Sequence, residues 1–482
     1  MLTIAFAFPF AGCATLFALR PISRAVRNWI TFLFTLSASV CLGAAIVNGG
    51  EAFTLIAFSE SLSLSFRVDG LARVFCGLIA FLWPLSTLYA FGYMRHEEHE
   101  NTFFAFYLLS YGVTMAIATA SNLFTLYVFY ELLTLSTLFL VTHGQSARSV
   151  YAGRKYLYYS LGGAAMAFIA MVGALHYGGT TDFAYGGIAA LGQAPRASVL
   201  LLFGFGFLGF GVKAAVVPLH GWLPTATVAP TPVTALLHAV AVVKAGAFAV
   251  ARLTYFVYGT DLLRGTWVQT ASLSLVLLTI VFGSTMAVRE QHMKRRLAYS
   301  TISNLSYVLF GILLMTPRGL AAGLTHMVFH ALMKLTLFSC IGAWMVQTGR
   351  TQVQELRGMA RRMPVVFTVF AFCAVELVGI PPFVGFQSKW ALATAGLASG
   401  AALGFAGMGV LILSAVLTAV YLLPPAVTAF ALPLNGGEPQ GRAFPGWQMA
   451  LPLFILCAAM LALAFGSGPL IRFLAQVAQG TL

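Results

Sequence analysis

Residues 213–224 read Lys213-Ala-Ala-Val-Val-Pro218-Leu-His220-Gly-Trp222-Leu-Pro224, and residues 229–246 read Ala229-Pro230-Thr-Pro232-Val-Thr-Ala-Leu-Leu-His238-Ala-Val-Ala-Val-Val-Lys244-Ala-Gly246. Two lysines and a histidine stand here in apolar runs that proline interrupts. Lysine normally marks where a membrane segment stops. An ammonium at the bilayer centre costs roughly 2.5–3.5 kcal/mol even on the lenient insertion scale. The chain has six lysines, and four of them, Lys213, Lys244, Lys334 and Lys389, lie inside long apolar stretches. Such charges read as a path through a membrane protein.

The rest of the sequence agrees with a membrane setting. Of its 482 residues 60% are hydrophobic and only 8% charged, against about 25% charged in soluble domains. A span needs about 20 residues to cross a ~30 Å hydrocarbon core. About fourteen such runs recur, from residues 2–19 to 448–471. This predicts an all-α integral membrane bundle with no room for a soluble domain. The Gly- and Pro-rich stretch Leu434–Gln448 reads as a loop before the last span.

The net charge of +14 could suggest nucleic acid, but its distribution argues otherwise. Alternate connections hold Arg20, Arg24, Arg27, Arg95, Arg148, Arg154, Lys155, Arg289, Lys294, Arg295, Arg296, Arg350, Arg357, Arg361, Arg362 and Arg442. The other set holds Arg67, Arg73, Arg196, Arg252, Arg264, Arg318 and Arg472. That asymmetry predicts a cytoplasmic first set and both termini outside. The opening Met1–Leu19 run lacks a positive n-region and a polar segment after it, so a first transmembrane helix is expected rather than a signal peptide. Cys13, Cys41, Cys76, Cys340, Cys373 and Cys457 are scattered in apolar segments. Without C-x-x-C spacing they predict neither a zinc nor an iron–sulfur site.

Proline inside a helix removes a backbone hydrogen bond, and in lipid the freed carbonyl must find another donor. Lys213 lies in a span disrupted by Pro218 and Pro224, and Lys389 in one disrupted by Pro381 and Pro382. Two such spans at corresponding positions of two halves point to a transporter with internal repeats and a midplane site. His326, His330 and Lys334 follow i, i+4, i+8 spacing along one helical face. Burial disfavours charge and histidine titrates near neutrality, so such a stripe can take and release protons. His238 and Lys244, six residues apart, should face about 120° away from each other on a continuous helix. Glu131 sits mid-span, and an intramembrane carboxylate is functional by default. Haem would need histidines paired on facing helices, which His238, His326 and His330 do not supply, and no phosphate loop or Ser/His/Asp signature is present. No cofactor or metal site is therefore predicted.

The Lys213–Pro224 and Ala229–Gly246 motifs resemble the signature of the antiporter-like proton-translocating subunits shared by respiratory complex I, Mrp-type cation/proton antiporters and group 4 membrane-bound hydrogenases. Tyr130-Glu131-Leu132 is similar to that family's fifth-helix glutamate motif, and His326 to Lys334 to its His/His/Lys motif. Gly379-Ile-Pro381-Pro382-Phe-Val-Gly385-Phe-Gln-Ser-Lys389 is similar to its broken twelfth helix. The resemblance covers roughly residues 65–430. It implies fourteen helices with two inverted five-helix repeats and two proline-broken helices. The first three helices fall in 1–100, the repeats in 101–257 and 268–432, and the C-terminal loop and last helix in 433–482.

The resemblance further implies that Glu131 and Lys213 pair in the first half-channel. Lys244 with His238 bridges to the second, His326, His330 and Lys334 continue the axis, and Lys389 is the exit-side group. Thr225 stands where an acid is often found after the Trp-Leu-Pro turn, and Glu376 is an acid where a small or apolar residue is expected; its role is left open. The leading expectation is a proton-translocating (or Na⁺/H⁺-exchanging) subunit of a multisubunit redox-driven complex in a bacterial or archaeal-type inner membrane. Other membrane subunits would be its partners and would carry any redox chemistry. The alternatives are a subunit of a non-redox Mrp-type antiporter, a proton-driven partner of a soluble bicarbonate-uptake subunit, and a scaffold without transport.

Overall fold

The computed structural model describes residues 1–19, 23–59, 61–432, 441 and 443–481. Arg20, Arg442 and residues 434–440 of the Leu434–Gln448 loop lie outside the described residues.

A bilayer offers no water to unpaired peptide groups, so apolar runs must close their own hydrogen bonds as helices. The first part of the chain forms α1 (Leu2–Ala18), α2 (Arg24–Asn48), α3 (Gly70–Tyr93), α4 (Glu100–Thr119), α5 (Leu123–Val141), α6 (Ala147–Gly178) and α7 (Arg196–Lys213). An interrupted region follows, with α8 (Trp222–Thr225), α9 (Thr231–Ala239), α10 (Val242–Arg252) and α11 (Thr260–Leu263). Next come α12 (Trp267–Arg289), α13 (Met293–Leu313), α14 (Pro317–Thr348) and α15 (Met359–Arg362). The chain closes with α16 (Pro364–Val378), α17 (Val384–Ala398), α18 (Ala402–Phe430), α19 (Trp447–Gly466) and α20 (Gly468–Ala478). Among the described residues eleven helical stretches are long and apolar enough to cross a membrane, and α1 and α16 are shorter apolar helices. This is a multi-pass membrane protein.

The all-helical expectation needs one correction. Between α2 and α3, β1 (Ala52–Ser59) and β2 (Leu62–Arg67) pair antiparallel, with Phe53 opposite Phe66. This segment is too short and too rich in Ser to span, and its Phe, Ile and Thr favour a pleated surface. It anchors on the α4–α5 turn, where Asn122 Nδ2 donates to Ser63 O at 3.0 Å and Ser121 N to Ser65 O at 3.1 Å.

Burial places the axis. The span Thr231–Tyr258 and α14 are enclosed along their whole apolar windows, whereas α2 and α18 are one-third buried and face outward. The two enclosed stretches carry His238, Lys244 and the His326–Lys334 stripe, so the polar groups occupy the centre.

Several of the cations counted with the connections also act as structural ties. Arg252 is wholly buried and grips Asp69 through two bonds, of 2.6 and 2.7 Å, amid Phe183, Phe248 and Phe256. Asp69 also caps α3 by accepting from Ala72 N at 2.9 Å, so this pair locks α3 to α10. Lys294 donates to Ala229 O at 2.8 Å, Arg296 to Tyr421 O at 2.9 Å, and Arg27 pairs with Glu100; all three cations are buried. An apolar environment rewards a charge that finds an acceptor, and sequence position alone does not show where an acceptor lies.

Candidate functional site

The first station forms where α7 stops. Helix α7 ends at Lys213, five residues ahead of Pro218, and Ala215 turns into a left-handed conformation at φ 57°. The interruption satisfies its own backbone. Trp222 Nε1 donates to Val212 O at 2.8 Å, Val216 N to Gly211 O at 3.0 Å, and Val217 N to Thr279 Oγ1 at 3.1 Å. Pro218 lies in the connection and Pro224 in the single turn α8, whose Thr225 hydroxyl accepts from Lys155 at 3.1 Å. Packing across the break requires Gly246, because a Cβ there would come within 2.5 Å of Ala214 N.

Lys213 is fully buried at this helix end, where aligned peptide dipoles favour a cation. Its ammonium lies 3.7 Å from Glu131 Oε1, donates to the Tyr130 carbonyl and sits 3.4 Å from the centre of the Tyr130 ring. The Tyr130 hydroxyl donates to Phe210 O at 2.9 Å and ties α5 to α7. At 3.7 Å the carboxylate attracts the ammonium without a hydrogen bond, and Glu131 Oε1 has no other partner.

The second station carries a break that no proline announces. Helix α9 ends at Ala239 and α10 begins at Val242, with Val240 and Ala241 in non-helical conformations. The break frees the His238 carbonyl from the helix ladder and leaves it open to an outside donor. Lys244 turns back and donates to His238 O at 2.9 Å, and it also bonds His330 Nδ1 at 2.7 Å. The His238 ring packs on Phe338, with both ring nitrogens unpartnered.

On α14 the His326 and His330 rings stack 5.8 Å apart, and His326 Nδ1 meets Ser388 Oγ at 3.0 Å. Lys334 leaves this column. It donates to Leu297 O at 3.0 Å and Ser300 Oγ at 2.7 Å on α13, and Ser300 Oγ in turn meets the Tyr421 hydroxyl at 2.7 Å.

The third station is the break between α16 and α17, which contains Pro381 and Pro382. Helix α16 ends at Val378, with Gly379 at φ 90°, so its last carbonyls need donors from outside the helix. Lys389 fills that role, donating to Leu377 O at 2.7 Å and Val378 O at 2.9 Å. A Cβ on Gly385 would lie 1.7 Å from Glu376 O, so only glycine lets α17 approach α16 this closely. Glu376 itself is fully buried, with the Val384 and Gly385 N–H groups at the start of α17 beside its carboxylate and no cation paired to it among the described residues.

The structure thus joins Glu131 with Lys213, Lys244 with His238 and His330, and His326 with the residue beside Lys389. Each of the four lysines donates to a main-chain carbonyl. Ser300 and Tyr421 were not singled out from sequence, and Tyr130 and Ser388 entered only as members of motifs, since hydroxyl and aromatic residues recur along every span. Among the described residues no three His, Cys, Asp or Glu gather as a metal-ligand set.

Residues 120–418 match the family model described as NADH:quinone oxidoreductase/Mrp antiporter, transmembrane, and residues 56–104 match complex I chain 5 N-terminus. The chain belongs to this family of antiporter-like membrane subunits. It is 30% identical over 447 residues to NADH-quinone oxidoreductase subunit N of Desulforudis audaxviator (strain MP104C), covering 89% of this chain and 86% of that one. It is 33% identical over 369 residues to a Na⁺/H⁺ antiporter subunit of Alkalihalophilus pseudofirmus (strain ATCC BAA-2126 / JCM 17055 / OF4), covering 71% of this chain; it spans only 44% of that relative's length. Its fold matches a chain of the archaeal membrane-bound sulfane sulfur reductase with a TM-score of 0.89 at 22% identity, covering 99% and 97% of the two chains. A chain of the Mrp complex from Dietzia sp. DQ12-45-1b gives a TM-score of 0.84 at 23% identity, with the same coverage. At these identities the structural likeness is one of fold.

Proposed function

We propose that this chain translocates protons as one membrane subunit of a larger redox-driven complex. The observation that carries this reading is a row of protonatable groups running Glu131, Lys213, Lys244, His330, His326 and Lys389, all but the half-buried Glu131 enclosed, with each group beside a helix break or a hydrogen-bond partner. The 2.7 Å bond between Lys244 and His330 needs a donor on one side and a lone pair on the other. One proton therefore suffices for the pair, and a second arriving proton would break the bond. Such a contact is a place where charge can be handed on. At the α7 end, Lys213 can trade the Glu131 carboxylate for the next group, because the helix that would fix it stops at that residue.

This proposal includes fourteen spans, with inverted repeats over 101–257 and 268–432, three helices before them within 1–100 and the last segment in 433–482. Both termini lie outside, and H⁺ is the transported ion. The reach of the match to the quinone oxidoreductase relative, over most of that relative's length, supports the redox-driven reading. An Mrp-type antiporter subunit exchanging Na⁺ for H⁺ is the second reading, supported by the higher identity to the antiporter relative. Purification of the native complex separates them: iron–sulfur partners support the first reading, and only small membrane partners the second. Proton translocation itself is tested with Lys213→Gln in the intact complex reconstituted into vesicles carrying a pH-sensitive dye. Acidification should fall to the rate of empty vesicles with assembly unchanged, and wild-type rates would reject the pathway.

A further inference from the structure

A cavity of about 940 Å³ opens between the start of α6, the interruption after α7 and the turn from α12 to α13. Arg148, Lys155 and Arg295 line it together with His220, His292 and Tyr151, and among the described residues no carboxylate lines it. Glu290 pairs with Arg295 at 3.0 Å and offsets one of the three fixed charges. Lys155 is held only by the neutral Thr225 hydroxyl among its side-chain hydrogen bonds. The first turn of α6, with Ala147 and Arg148 on the wall, adds the positive end of a 32-residue helix. Two buried ring nitrogens, His220 Nδ1 and His292 Nδ1, have no hydrogen-bond partner. Burial first, and then the Lys294 charge, holds His292 below the usual imidazole value. The attraction therefore comes from the lysine, the two arginines and the helix end.

The geometry points to a binding site for a phosphate-bearing anion, the phosphate of an anionic phospholipid or free phosphate. Guanidinium groups bind phosphate oxygens through paired donors. Basic pockets between transmembrane helices hold anionic head groups, at about 1 kcal/mol per Lys or Arg. The site is independent of the proton row, although it touches the same interruption: His220 and Thr225 belong to the segment that follows Lys213. An occupant would brace that segment from its exposed side.

The test uses the full-length chain purified in a neutral detergent, with binding measured at fixed ionic strength. The probes are phosphatidylglycerol, cardiolipin, phosphatidylcholine and inorganic phosphate. Saturable binding of the anionic lipids but not of phosphatidylcholine or phosphate assigns the site to a lipid head group. Saturable binding of inorganic phosphate assigns it to the free anion. In either case the R148Q/K155Q/R295Q variant should bind roughly a hundredfold more weakly. Arg148→Glu, on the exposed first turn of α6, provides a second variant that leaves the packing intact and should also weaken binding. Arg196→Gln, exposed at the other end of α7, should bind like wild type. No saturable binding of any anionic probe, or equal binding by wild type and the Arg148→Glu variant, would overturn the site.

Discussion

Two broken helices each present a buried lysine, and they balance its charge in different ways. At the end of α7, Lys213 has a carboxylate 3.7 Å away on a neighbouring helix. At the α16–α17 break, Lys389 has two main-chain carbonyls at 2.7 and 2.9 Å, and no carboxylate pairs with it among the described residues. Glu376, on the last turns of α16, pairs with no cation among the described residues. A carboxylate can change its own charge, so the first lysine sits beside a partner that can switch. Carbonyl dipoles at a helix C-terminus are fixed and favour a cation without responding to it. Similar breaks can therefore build one responsive station and one passive station.

Glu131→Gln puts this contrast to its most severe test. Removing the switching partner should reduce proton transport in vesicles to background, and retained transport would show that carbonyls alone suffice at both stations. Lys389→Ala removes the passive station. Its transport should be strongly reduced across pH 6–9, and an unchanged profile would take Lys389 off the path. Gly385→Ala probes the geometry rather than the charge. A Cβ 1.7 Å from Glu376 O must push α17 away, at a cost on the order of 1–3 kcal/mol. Thermal unfolding in detergent should show that loss, while Gly409→Ala, with open space around it, should not. Glu376→Gln should have the smallest effect: with no ionic partner to lose, transport should stay within about twofold of wild type, under ~0.5 kcal/mol. A loss as deep as that of Glu131→Gln would mean that the second station also uses a carboxylate.

Much of this arrangement was legible in the sequence, though unevenly. The proline pairs marked two interruptions, because proline cannot supply the missing N–H. The third, at Val240–Ala241, left no such mark; it lies among Val and Ala residues that elsewhere in the chain continue helices. The i, i+4 spacing of His326 and His330 predicted neighbouring rings, and they stack. By i+8 a helix has turned about 80° beyond two full turns, and Lys334 meets α13 instead of the column. Arg252 and Lys294 looked like loop charges, yet each found a buried acceptor from a distant segment.

Residue order and composition were enough to place the chain in a membrane and to make its centre polar. Both follow from local costs: a span must close its own hydrogen bonds, and a charge within it must have a reason to be there. Which acceptor each lysine meets was settled by packing. It set Lys244 against His330 and Lys389 against the end of α16, and it placed Lys213 3.7 Å from Glu131, the partner that the family resemblance implied. Those pairings depend on how closely helices distant in sequence approach one another. That approach is controlled by contacts such as Gly246 on Ala214 and Gly385 on Glu376, which spacing along the chain does not encode.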